Sequence, residues 1–122
     1  MGMPVRSFRD LQVWRKGMEI AREVYRASAS LPAAERFGLV AQMRRAAVSL
    51  PSNAAEGFRR RSHREFSQFL HVALGSAAEL ETQIELSVQL HGLDSKLASS
   101  LLESLDHFQS LAIRLIKHLR AG

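Results

Sequence analysis

The 122-residue sequence predicts an all-α fold, an antiparallel up-down-up-down four-helix bundle with a proline-kinked second helix. Apolar residues recur at i, i+3 and i+4 through successive segments, and no segment alternates with period two over a strand's length. Proline, glycine and capping signals fall between the segments, so the loops are short and neighbouring helices must reverse direction. The expected helices cover about 8–29, 34–58, 62–91 and 95–119 of a single domain, 1–122.

Ser7 is the expected N-cap of the first helix, whose inward stripe is Leu11, Trp14, Met18, Ala21 and Tyr25, and Leu31-Pro32 ends it. The second helix carries Leu39, Met43, Ala46, Leu50 and Ala54 inward. Pro51 lacks a backbone donor and crowds the carbonyl one turn back, so a bend is expected there, with Ser or Asn side chains available to the freed groups. Gly57 is expected to end this helix in the left-handed conformation. Ser62-His63-Arg64-Glu65 has capping-box spacing and starts the third helix at Arg61 or Ser62. Its inward residues are Phe66, Phe69, Leu70, Ala73, Ala77, Leu80, Ile84 and Val88, and Gly92 stops it. The fourth presents Leu97, Leu101, Leu105, Phe108, Ala112, Leu115 and Leu119 as a nearly heptad seam. Trp14, Leu70 and Leu105 are the expected core anchors, and Met1–Val5 and Ala121–Gly122 the expected disordered ends. Second stripes at Val13, Ile20 and Val24, at Gly75, Ala78 and Thr82, and at Leu102, Ile113 and Ile116 would stay uncovered in a monomer, so self-association is expected.

A polar stripe shares the second helix with the apolar one: Gln42, Arg45, Ser49, Asn53 and Glu56 lie along one side. On the third helix Ser76, Glu79 and Gln83 are spaced to face it, with Glu79 or Gln83 expected to meet Arg45 or Gln42. Burying an unpaired ion costs several kcal/mol, so these residues are expected to pair as a polar seam between helices or subunits rather than form an active site. Gly75-Ser76-Ala77-Ala78 is expected to admit a closely packed helix.

These residues also carry a family resemblance. Gln42-x-x-Arg45, then Ser49-x-Pro51-Ser52-Asn53, then Glu56-Gly57, then Gly75-Ser76-x-x-Glu79 follow one another. With Phe8, Leu11, Trp14, Phe37-Gly38-Leu39, Phe66, Phe69 and Leu70, the chain from about Phe8 to His91 resembles the small proteins named for intervening sequences in bacterial 23S rRNA genes. The resemblance implies a four-helix bundle assembled as a ring-shaped homopentamer. It points more distantly to the basic accessory protein of diversity-generating retroelements, which engages nucleic acid and a reverse transcriptase. The resemblance carries no established activity with it.

With 46% hydrophobic residues the chain can build one core, and without cysteine it has no disulfide, thiolate metal site or Cys nucleophile. That suits a reducing cytoplasm. No apolar run approaches the roughly 20 residues needed to span a bilayer, and residues 1–9 lack the apolar stretch of a leader, so no membrane partner is expected. The net charge of +5 is unevenly placed: residues 1–64 hold 13 Lys or Arg against 5 Asp or Glu, and residues 65–122 hold 4 against 7. Such asymmetry serves either nucleic-acid binding or pairing between subunits.

Arginine density peaks at the junction of the second and third helices, where Arg59, Arg60, Arg61 and Arg64 lie beside His63, with Arg44 and Arg45 upstream. Guanidinium pairs bidentately with phosphate, so these six arginines are the candidate nucleic-acid contacts, RNA or DNA, in a salt-sensitive and sequence-independent mode. No Glu-x-x-His pair suggests a metal, Glu103 and His107 form only an isolated pair, and no phosphate loop, nucleophile elbow or dinucleotide motif is present. The sequence therefore predicts a non-enzymatic homo-oligomer without cofactor or metal. Its expected partners are itself, RNA or DNA, and an acidic or nucleic-acid-processing protein. The competing expectation is a ring-shaped protein scaffold whose arginines pair with Glu79, Glu81 or Glu85 of neighbouring subunits.

Overall fold

In the computed structural model, which describes residues 5–121, the chain is a bundle of four helices: α1 Gln12–Ser28, α2 Leu39–Phe58, α3 His63–His91 and α4 Ser95–Ala121. No strand occurs among the described residues. Each helix packs on two others, α1 on α2 and α4, and α3 on α2 and α4. Contacts between α1 and α2 run in opposite residue order, with Gly17 against Pro51 and Ser28 against Arg44. The α2–α3 pair does the same, with Ser49 on Ser76 and Met43 on Ser87.

The ends of the helices follow local chemistry. Ser7 caps a single 3₁₀ turn, Phe8–Asp10, through a complete capping box with Asp10, and α1 proper begins one residue after Leu11. Ser62 caps α3 by accepting the Glu65 amide at 3.1 Å, and Gly92 ends that helix at φ 64°, where only glycine sits without strain. The expected start of the second helix near Ala34 is not realised. Ala33–Glu35 forms a 3₁₀ turn instead, and α2 starts at Leu39, whose amide is held by Glu35 Oε1 at 3.1 Å. The helix then continues through Pro51 to Phe58. Of the expected disordered ends, residues 1–4 and 122 lie outside the described residues, and Ala121 closes α4.

The core contains Met43, Leu50, Leu70, Leu80, Ile84, Leu101, Leu105 and Phe108, all without solvent exposure. Burying each contributes about 1.5–3 kcal/mol relative to leaving it in water. Leu70 and Leu105 are core anchors as expected, but Trp14 is not. The α1 face is rotated from the expected one: Val13, Gly17, Ile20, Val24 and Ala27 are buried, while Trp14, Met18 and Ala21 are half-buried and Tyr25 is 46% exposed. The cause is the α1–α2 crossing. A Cβ on Gly17 would lie 2.9 Å from the Pro51 backbone nitrogen, so the helices touch where α1 has no side chain, and the residues aligned with Gly17 become the core. Ile116, expected on the outer stripe of α4, is also buried, and Leu115 is half-exposed.

Gly57 likewise serves packing rather than a left-handed end. It is helical and buried, and a Cβ there would meet Phe66 and Phe69 at 2.8–2.9 Å. Gly75 shows the reverse. It is exposed with nothing within 4 Å of a Cβ, so the close approach of α2 to the small-residue run of α3 is made through Ser76 and the buried Ala77 and not through Gly75.

At the bundle end away from the α2–α3 loop, His91 Nε2 lies 2.7 Å from Glu35 Oε2 and ties the end of α3 to the α1–α2 connection. The His91 hydrogen bond, and after it the Leu39 amide, holds the Glu35 carboxyl below its ordinary value of 4.5. A depressed carboxyl stabilises the fold above the unfolded-state value and loses that contribution as pH falls through the folded-state value. Glu35→Gln should therefore lower the urea midpoint at about pH 7 and match wild type at about pH 3. A gap of equal size at both pH values would show that the carboxylate's charge is irrelevant to the contact.

Candidate nucleic-acid interface

The antiparallel neighbours bring the start of α1, the end of α2, the start of α3 and the end of α4 to one end of the bundle. Arg59 places its guanidinium 5.3 Å from the Phe8 ring centre, and Arg9 stacks on the same ring at 4.5 Å. Arg60 lies over Phe69 at 4.7 Å and reaches Glu56 at 3.8 Å across the last turn of α2. Arg61 and Arg64 are exposed, and neither they nor Arg59 has a carboxylate within ion-pair distance among the described residues. Nearby acids are already occupied. Asp10 accepts the Arg6 and Ser7 amides at 3.0 and 3.1 Å, bonds that hold its carboxyl below the usual range, and Glu65 contacts the Ser62 cap.

Four of the six arginines expected to contact nucleic acid therefore share this corner, Arg59, Arg60, Arg61 and Arg64. Arg44 and Arg45 do not. They lie about 20 Å back along α2 at 1.5 Å per residue. Arg44 is half-buried and bonded within the fold: its Nε donates to Ser28 Oγ at 2.9 Å, its Nη2 donates to the Tyr25 carbonyl at 3.2 Å, and the guanidinium covers the Tyr25 ring at 4.5 Å. Arg45 is exposed on the α3 side of α2. Arg9, which sequence reasoning missed, joins the corner because Phe8 folds against the end of α2. Its only sequence signal was a basic residue beside an aromatic one.

The polar seam is partly formed. Ser49 and Ser76 hydroxyls are 2.7 Å apart across α2 and α3, and the Asn53 amide donates to the Ser49 hydroxyl and carbonyl at 2.7 and 2.8 Å. Gln42, Glu79 and Arg45 are exposed and make no side-chain bond to one another or to Gln83 among the described residues. Gln83 is only 8% exposed, and its Oε1 is buried without a partner. Glu56 faces Arg60 rather than the seam. Among the described residues, no three His, Asp or Glu side chains come together as metal ligands.

The rotated α1 leaves a groove between α1 and α2, about 630 Å³, whose wall includes Trp14, Met18, Tyr25, Val48 and Pro51. Arg22 and Arg26 stand at its edge. On α3, exposed Val72, Gly75, Glu79, Thr82 and Leu86 form a second continuous stripe at helical spacing.

Fold and site together define a small helical bundle with an arginine-rich end and an uncovered aromatic groove. The family model of the 23S rRNA-intervening sequence proteins matches residues 9–114, and the chain belongs to that family. It is similar to a crystal structure of a protein with unknown function from the S23 ribosomal protein family of Bacteroides thetaiotaomicron VPI-5482. The two share 25% identity and a TM-score of 0.77, over 86% of this chain and 95% of that one. Among curated proteins, none matches the chain.

The bonding of Arg44 makes it a stability residue. Arg44→Gln should cost about 1–2 kcal/mol in chemical denaturation, from a lost charged hydrogen bond and ring contact, while leaving any nucleic-acid affinity within about twofold of wild type. A large affinity loss without destabilisation would place it in the interface instead.

Proposed function

We propose that this protein is a non-enzymatic, homo-oligomeric accessory protein that binds the backbone of RNA or DNA with the arginine corner where α2 meets α3. The carrying observation is that Arg59, Arg61 and Arg64 are exposed and lack carboxylate partners, whereas the neighbouring acids are committed to amides, caps or Arg60. An unneutralised cluster of this kind attracts phosphate and releases condensed counterions on binding. The family is named for the 23S rRNA intervening sequence, which agrees with a nucleic-acid setting.

Replacing Arg59, Arg60, Arg61 and Arg64 with glutamine should reduce the slope of log affinity against log salt. Each lost phosphate contact removes about 0.7–0.9 from that slope. Helicity and oligomer mass should remain. Wild type that binds no nucleic acid at low salt would end this reading, and a quadruple variant that dissociates into monomers would transfer the arginines to subunit contacts.

The second reading, a ring-shaped protein scaffold, is favoured by the two uncovered stripes. The α1–α2 groove is apolar with Arg22 and Arg26 at its edge, and the α3 stripe of another copy offers Val72 and Leu86 with Glu79 between them. The faces are different and complementary, so repeated contact is head-to-tail, an arrangement that forms a ring where the rotation between copies closes, and we take that ring to be the homopentamer. The exposed Gly75 lets the incoming helix approach closely. Leu86→Arg would set a third positive charge against Arg22 and Arg26, and light scattering should then report monomers with wild-type helicity. Monomeric wild type at micromolar concentration would remove both ring and scaffold.

A further inference from the structure

We infer that the cleft between the first turns of α3 and the last turn of α4 receives a terminal phosphate, the phosphomonoester at the end of a nucleic-acid strand. This rests on the nucleic-acid reading above and gives it a strand-end specificity. The cleft holds about 320 Å³ and is lined by His63, Arg64, Ser67, Gln68, Leu119 and Arg120. Its two guanidiniums come from different helices, so they approach one anion from separate directions. A hydroxyl, a carboxamide and an imidazole lie among them, each able to donate to a phosphoryl oxygen. Among the described residues, no carboxylate lines the cleft to compete for that place. Leu119, 8% exposed, gives the cleft an apolar side, while the donors around it are open to solvent and to an incoming anion.

The shape and donor set favour a strand end over the interior of a strand. A phosphodiester carries one charge and has chain leaving on both sides, which suits an open ridge such as Arg59–Arg61. A phosphomonoester carries about −1.5 to −2 at neutral pH, presents three free oxygens, and has chain on one side only. A concave site with two arginines and several neutral donors matches the latter. The cleft shares Arg64 with the corner, so a strand lying across Arg59, Arg60 and Arg61 can end in it.

The test compares single strands of one sequence bearing a 5′-phosphate, a 3′-phosphate or hydroxyls at both ends, with inorganic phosphate as a separate ligand and competitor. A phosphorylated end should raise affinity about tenfold over the hydroxyl-ended strand. In Arg120→Gln, and separately in Gln68→Leu, that ratio should fall below about twofold, and a general loss of charge cancels from the ratio. Equal affinity for all three strands, or a ratio retained in both variants, overturns the inference while leaving the arginine corner standing. Inorganic phosphate binding as tightly as the phosphorylated strand overturns the strand-end assignment in favour of free phosphate. If none of the strands binds at low salt, the corner itself fails and the inference fails with it.

Discussion

The contact between Gly17 and Pro51 sets the arrangement of everything around it. With Pro51 nitrogen 2.9 Å from where a Gly17 Cβ would sit, α1 can approach α2 only along the line through that glycine. Successive helical residues are about 100° apart, so choosing Gly17 as the contact draws Val13, Ile20 and Val24 inward and turns Trp14, Met18 and Tyr25 outward. The missing side chain on α1 is matched by the missing amide hydrogen on α2. Proline has no N–H to leave unsatisfied beneath the crossing, and its ring supplies apolar surface there. An alanine at position 17 would have to displace backbone rather than the tip of a side chain, which a packed crossing resists.

From that contact follows a division of α2 into sides with different chemistry. Toward α1 it contributes Val48 and Pro51 to an aromatic groove, and toward α3 it contributes Ser49 and Asn53 to a hydrogen-bonded seam. The seam fixes register, because a hydroxyl pair at 2.7 Å tolerates little sliding. The groove has no such partner among the described residues. The buried and unpaired Oε1 of Gln83 is the other unfinished element, an acceptor held away from water with no donor supplied among the described residues.

The helices, their order and most inward residues of α2, α3 and α4 were legible in the sequence, because each is written in spacing and caps: Ser7, Ser62 and Gly92 all act at the ends where their chemistry suits them. The rotation of α1 was not. Its two apolar stripes differ by one residue, and hydrophobic weight favours the one with Trp14 and Tyr25. The deciding residue, Gly17, carries almost no hydrophobic signal and matters only through a neighbour on another helix. Glu35 was unreadable for a similar reason, since its amide and imidazole partners lie 4 and 56 residues away. In the candidate site, Arg59, Arg60, Arg61 and Arg64 were visible as a run, but adjacency misled at Arg44 and Arg45. Neighbours in sequence point about 100° apart on a helix, so one is bonded to α1 and the other faces away from it.

The aromatic groove and the arginine corner meet at Phe8, whose ring lines the groove and carries Arg9 and Arg59, and otherwise use different side chains. In the proposed ring, cyclic symmetry repeats the corner once per subunit at equivalent positions. A strand held by one corner then meets the next as an intramolecular event, at an effective concentration set by the spacing of corners. Individual corners can thus be weak and salt-sensitive while the ring as a whole holds a long strand firmly. Charge is divided in the same way: Arg59, Arg60, Arg61 and Arg64 gather at one end of the bundle, while Arg22 and Arg26 line the groove on its flank, where the proposed contact would set them against Glu79 of the neighbouring copy.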